Sequence, residues 1–529
     1  MTATSVIMSA LTLAATSGDL PVNGGVRLPE SLVGNPLVEE WDTPYQTPPF
    51  SEIELAHYEP AFDYAIAVNR AEVEAIINNP EAPTFENTIV AMTESGELLG
   101  RVAGLFFVLN NCSTSDEMQQ IAMNITPKLT ELENDISLNP ELFARVKAVY
   151  DQRKKLKLDE QDMQLLEDTY KGFARSGALL EGKDKELYRE YSSELSQLTL
   201  KFGQNAQAAT NAFSYNITDP AKVEELPAFV KEGLAAEAEA RGEKGWTVTL
   251  HAPSYSPFMT YSTQRDIKEA LYRAYNTRGI GGETDNVENI RRIAELRLKI
   301  ANLLGYKCYA DYVLEDRMAE STKTVNGFLA ELNKATLSYA KKDVAAITEY
   351  AHSLGFEGEL APWDFGYYNE KYKEAKYAIN DEQIKPYLQL ENVKNAVFML
   401  AGKLYGLTFT PVDNIETYHP EATVYEVRDN KGELMAILYL DFFPRESKRQ
   451  GAWMTEFRGV KVKDGKEQRP LVQLVMNFTK PTTNTPSLLT FDEFTTFLHE
   501  FGHGLHGILA RGKYESINGT SVKRDFVEL

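Results

Sequence analysis

Cysteine is nearly absent from this sequence. The 529 residues contain two, Cys112 and Cys308, too few and too far apart for a disulfide framework or a cysteine metal centre, and both are read as free thiols. Histidine is also scarce, at seven residues, so any clustering of it carries weight. Positive charge is in deficit: 55 Lys and Arg against 77 Asp and Glu give a formal net charge of −22. That argues against nucleic-acid binding, because a phosphate backbone needs clustered Lys and Arg. No stretch approaches 18 uninterrupted apolar residues, so no transmembrane helix is expected. The apolar run 6–16, VIMSALTLAAT, has no basic residue before it, the first being Arg27. It therefore lacks the positively charged start of a secretory signal. A cytoplasmic setting is favoured, with a periplasmic or exported one as the alternative that this run keeps open.

What is present reads as a large, mostly helical protein. A chain of this length exceeds one ordinary compact module. Residues 1–34 read as a leader or disordered arm, 35–300 as an N-terminal helical region and 301–529 as a second region that carries a small β-sheet and the last long helix. Apolar residues recur at three- and four-residue spacing through 86–109 and 185–210. The runs 264–279 and 287–305 each end in glycine, a natural helix stop. Residues 246–250, WTVTL, alternate and read as a short strand. ATVYEV and LMAILYL flank the turn residues DNKG and suggest a hairpin, and GVKV and LVQLVMNF flank KDGKEQRP and suggest another. A small β-sheet is thus expected just before the last long helix.

That helix, TFDEFTTFLHEFGHGLHGILARG (490–512), holds three of the seven histidines. Thr490 and Glu493 have the form of a capping box, and Asp492 and Glu493 suit the positive end of the helix dipole. At 100° per residue, His499, His503 and His506 fall within an arc of roughly 60°. Phe494, Phe497, Leu498, Phe501, Leu505 and Ile508 are expected on the opposite, packed side, and small Thr495 and Gly502 beside the histidines. His499 and His503, one turn apart, can share a zinc ion, and Glu500 stands beside them as a general base. A catalytic zinc needs a third protein ligand, and Glu528 in GTSVKRDFVEL is the candidate. Phe526, Val527 and Leu529 suggest a second buried element there. His506 reads as a hydrogen-bonded non-ligand. His57, His251, His352 and His419 stand alone and read as structural.

These residues resemble the thimet-oligopeptidase family of zinc peptidases, which carries H-E-F-G-H, then H-G after two more residues, then R-D-F-V-E. Here these are His499–His503, His506–Gly507 and Arg524–Glu528. The resemblance extends through 35–50, 85–102, 301–319, 418–427 and 441–454, blocks similar to the bacterial peptidyl-dipeptidase branch. It implies one zinc ion held by His499, His503 and Glu528, with Glu500 as the catalytic carboxylate. It also implies a two-lobed helical ellipsoid with a deep channel that admits short unfolded peptides. The implied activity is release of C-terminal dipeptides. Cleavage at internal bonds of short peptides is the runner-up, and a helical binding protein with a dead metal site is the alternative from another class. Gly451, Ala452, Trp453 and Met454 read either as an edge strand that pairs with the substrate backbone or as an ordinary buried strand end. Sequences of this type continue well past the residue matching Glu528, whereas this one stops at Leu529. The donors that the family places near the reacting carbonyl are accordingly expected outside it, and the chain as given is expected to be poorly active.

Overall fold

The computed structural model describes residues 22–463, 465–483 and 485–528. The apolar run 6–16 and Leu529 lie outside the described residues. Within 22–34, Val22–Asn23 pairs with Val26–Arg27, and Leu28 and Leu32 are buried. Helices dominate, as the 3.6-residue periodicity predicts. Those that bear on the site are α1 (Tyr58–Ile77), α2 (Glu97–Cys112), α3 (Asp116–Ser137), α4 (Gly182–Asn211), α5 (Val287–Leu303), α6 (Tyr309–Leu314), α7 (Thr322–Ser353), α8 (Leu390–Tyr405), α9 (Phe491–Leu509) and α10 (Arg524–Val527). α1 packs on α2 and α3, and α4 bridges α3 and α5. The apolar run 86–109 is interrupted. A turn at Gly96, with φ of +76°, starts α2 afresh, and a Cβ there would stand 2.8 Å from Asn69 Nδ2. The strand at Trp246–Thr249 forms as expected and pairs with Ser214–Ile217.

One five-stranded sheet organises the C-terminal half. Its strands are β1 (Thr408–Pro411), β2 (Thr423–Arg428), β3 (Leu434–Asp441), β4 (Trp453–Arg458) and β5 (Leu471–Val475), in the order β1-β2-β3-β5-β4. The expected hairpin is β2–β3, paired antiparallel. The second expected hairpin forms differently. Lys461–Lys463 pairs with Lys466–Gln468 in a short separate ribbon, while β5 runs parallel to β3 and antiparallel to β4. The reason is burial. All five residues of β5 are buried, and a strand that is apolar on both faces needs cover on both. The central position supplies it: Val472 and Leu474 join the core under α9, whereas Leu471 packs beneath Phe50 and Val475 against the α1–α3 core.

The loop from β3 to β4 is fastened by a buried ionic cluster. Asp441 accepts hydrogen bonds from Tyr418 Oη at 2.7 Å, Lys448 Nζ at 2.6 Å and Arg445 at 2.9 and 2.6 Å. Arg445 also donates to the Cys112 carbonyl at 3.0 Å, and the Arg449 amide donates to the Asn111 carbonyl at 2.9 Å. The segment leading into β4 is thereby tied to the end of α2. Burial works to raise the Asp441 carboxyl, but Arg445 and Lys448 outweigh it and hold it below the usual carboxylate range.

Removing one partner of a buried ion pair costs about 3–5 kcal/mol. Asp441→Asn is expected to lower unfolding free energy by about that much in urea titration at neutral pH. Because the folded value lies below the unfolded one, the contribution is present above about pH 4 and lost as pH falls through the folded value. The gap between wild type and Asp441→Asn should therefore narrow on acidification below pH 4.

Candidate metal centre

α9 begins as its sequence requires. The Glu493 amide donates to Thr490 Oγ1 at 3.1 Å, and the Glu493 carboxylate accepts the Thr490 amide at 2.8 Å. Its other oxygen accepts the amide and hydroxyl of Thr479 at 2.7 and 2.9 Å, which ties the helix start to the chain just beyond β5. Phe497, Phe501 and Ile508 are buried against the sheet, and Phe497 meets Phe442 edge-on at 5.2 Å. Gly504 lets the helix approach β5, since a Cβ there would stand 3.3 Å from Leu474 Cδ2. Leu498, expected on the packed side, is 38% exposed. It lies roughly 80° round the helix from Ile508, at the margin of the contact. Thr495 and Gly502 sit exposed on the open face beside His499.

On that open face the donors converge. The Nε2 atoms of His499 and His503 are 3.0 Å apart, and Glu528 Oε2 lies 3.4 Å from the first and 3.5 Å from the second. A tetrahedral zinc with ligands at about 2.0–2.2 Å holds them about 3.3–3.6 Å apart. The two separations to Glu528 match that spacing, and the imidazole pair at 3.0 Å is about 0.3 Å inside it, so a small outward turn of either ring brings all three donor atoms to the corners of one coordination sphere. They are the metal-competent cluster of His, Cys, Asp and Glu among the described residues, and His506 is outside it. Burial, with the neighbouring His499, lowers the His503 pKa, which favours the neutral imidazole that a metal requires.

Glu500 is buried at 7% exposure, beside the cluster and not in it. Burial raises its proton affinity. The His499 ring opposes this, Glu528 adds to it, and the Met454 backbone amide, which faces the carboxylate, opposes it. The contact with Met454 places the start of β4 against Glu500. Sequence reasoning missed it, because a backbone group leaves no mark in a side-chain motif. β4 is an edge strand that begins at Trp453 and Met454, while Gly451 and Ala452 lead into it, Gly451 with φ of +100°.

Glu528 reaches the histidines from α10, which returns by way of residues 510–523. Tyr514 donates to Asp162 at 2.8 Å and Glu515 accepts the Gly459 amide at 2.7 Å on this path. α10 is not the buried element expected from its composition. It has no buried residue, and Phe526 is 50% exposed. The lone histidines are each engaged locally: His57 accepts the Glu54 amide, His251 meets Gln450, His352 the Gly358 carbonyl, and His419 accepts the Glu421 amide. Both cysteines are free.

A helix-borne H-E-x-x-H pair completed by a carboxylate from a later turn is the donor set of a zinc metallopeptidase, with a position left open for water or substrate. Comparison with known proteins gives the same class and narrows it. Residues 258–529 match the profile of peptidase family M3. Dipeptidyl carboxypeptidase of Escherichia coli (strain K12) is 36% identical over 500 residues, 93% of this chain and 73% of that protein. Oligopeptidase A of Salmonella typhimurium is 34% identical over 502 residues, 94% of this chain and 73% of that protein. The chain belongs to peptidase family M3. The helix count and the small sheet agree with the mostly helical fold expected, and no helix among the described residues is long and apolar enough to cross a membrane.

Glu493→Ala strips three acceptor contacts from the start of α9. With unsatisfied buried donors costing about 1–3 kcal/mol each, a loss of about 2–3 kcal/mol in urea unfolding is expected. Amide exchange should quicken first at Thr479 and Thr490.

Proposed function

We propose that this protein hydrolyses short unfolded peptides with one zinc ion held by His499, His503 and Glu528, releasing dipeptides from the C-terminus. The observation that carries the reading is the convergence of those three donors at 3.0–3.5 Å beside a buried Glu500. When bound there, zinc supplies Lewis acidity, acidifying water and polarising a carbonyl oxygen. Glu500 takes the proton of the attacking water and delivers it to the departing amine. Its burial suits both halves of that task. A carboxylate with raised proton affinity accepts a proton more readily, and a group shielded from solvent keeps it until the amine leaves.

The start of β4 supports a place for the substrate. An edge strand offers unpaired backbone groups, and a peptide laid along Trp453 and Met454 would have its scissile bond next to Glu500, because the Met454 amide already faces that carboxylate. Gly451 and Ala452 would admit the chain at the strand's entrance. Recognition through backbone atoms tolerates many side chains. The proposal includes a catalytic region over 301–529 served by a helical region over 35–300, with a channel between them. It also includes a cytoplasmic setting, consistent with two unpaired thiols. A second reading, cleavage at internal bonds, is favoured by the match to oligopeptidase A.

Glu500→Gln is expected to bind zinc as wild type does and to lose at least about a hundredfold in turnover, the lower end of the range for general acid–base catalysis. Undiminished turnover removes Glu500 from the role. Mass spectrometry of one N-terminally blocked peptide separates the two specificities. Successive losses of two C-terminal residues support the first reading, and internal fragments the second.

A further inference from the structure

α10 delivers Glu528, yet nothing apolar fixes it. It has four residues and none is buried, and a single turn is far too short to hold itself together in water. Polar contacts to one distant turn hold it instead. Asp525 Oδ1 accepts the Met318 amide at 2.9 Å, and Oδ2 accepts the Ala319 amide at 2.9 Å. Lys523 pairs with Asp316 of the same turn. That turn joins α6 to α7 and is itself braced. Arg175 binds Glu315 at 2.6 Å and the Tyr312 carbonyl at 2.8 Å, and Thr322 donates to Asp311 at 2.8 Å. Arg524 stands 3.3 Å from Glu528 Oε1, leaving Oε2 toward the imidazoles.

The geometry points to Asp525 as a positioning residue for the metal centre: its carboxylate, clasping two backbone amides of the 316–319 turn, keeps Glu528 within reach of His499 and His503. The inference rests on Glu528 being the third donor. Between the two tethers, Asp525 is the stronger. Lys523 and Asp316 are both about 40% exposed, and an exposed pair between flexible side chains is worth little. A carboxylate accepting two amides in fixed directions is charge-assisted and directional. Since the two imidazoles already sit on one rigid helix, losing this tether removes one donor of three without disturbing the other two.

Zinc affinity of the full chain, measured by competition with a chromophoric chelator, tests this alongside the melting temperature of the metal-free protein. Asp525→Ala should melt as wild type does when metal-free and bind zinc roughly 10- to 100-fold more weakly, the range typical of outer-sphere partners of metal ligands. Asp525→Asn, which keeps one acceptor oxygen, should fall between, and Lys523→Ala should stay within about threefold. Adding Asp525→Ala to Glu528→Ala should weaken binding no further, since two residues acting through one donor are non-additive. A folded Asp525→Ala that binds zinc as tightly as wild type, while Glu528→Ala does not, overturns the inference alone. Wild-type affinity in Glu528→Ala overturns instead the assignment of the third ligand. Should Asp525→Ala fail to fold, unchanged affinity in Asp525→Asn overturns the inference.

Discussion

Two imidazole nitrogens 3.0 Å apart, each within 3.5 Å of one carboxylate oxygen, crowd their lone pairs into one small volume. Such an arrangement is repulsive unless a cation or shared protons occupy the middle. The fold bears that cost by holding the two imidazoles and the carboxylate in quite different ways. The imidazoles ride on α9, whose opposite face is buried through Phe497, Phe501 and Ile508 in the largest apolar contact of the C-terminal half. Their backbone spacing is that of one helical turn and is fixed by the helix, leaving only rotation of the side chains. The glutamate comes on a four-residue turn held by hydrogen bonds. One side of the site is thus rigid by packing, the other adjustable by polar contact.

The sequence was most legible where a local rule and a tertiary need coincide. The capping box at Thr490 and Glu493, the face of α9 carrying His499 and His503, and the β2–β3 hairpin are all set by residues within a few positions of one another. Each appears in the structure as the spacing implies. Legibility failed where the partner is remote. GVKV and LVQLVMNF look like hairpin arms across KDGKEQRP, but β5 is apolar at nearly every position and is drawn into the sheet centre, beside a strand that ends 30 residues earlier. Gly96 splits an apolar run because Asn69 occupies the space a side chain would need. Neither fact is written in the local pattern.

The same distinction explains the motif R-D-F-V-E. Its glutamate could be picked out from chemistry, because a third ligand was missing and a carboxylate stood downstream. Its apolar residues suggested burial, and the structure shows Phe526 half in solvent. Asp525 drew no attention, since its partners lie 207 and 206 residues away and are backbone amides, which no residue type announces. Likewise the Met454 amide, facing Glu500, is contributed by a strand whose side chains have other business. What the one-dimensional pattern carries is the identity of the converging side chains, and what it omits is the backbone scaffolding that aims them.

That scaffolding also links the sheet to the chemistry. Glu500 lies between α9 and the edge strand β4, and β4 is held in register on one side by β5 and at its entrance by the Asp441 cluster. Displacing the loop of residues 442–452 would shift the backbone that faces the carboxylate without touching His499, His503 or Glu528. The ion pairs buried under Lys448 therefore do more than offset their own desolvation. A salt bridge sealed at 0% exposure is a poor source of stability compared with an apolar core. Its geometry is specific, however, and here that geometry fixes where an edge strand begins, one residue from the amide that meets Glu500.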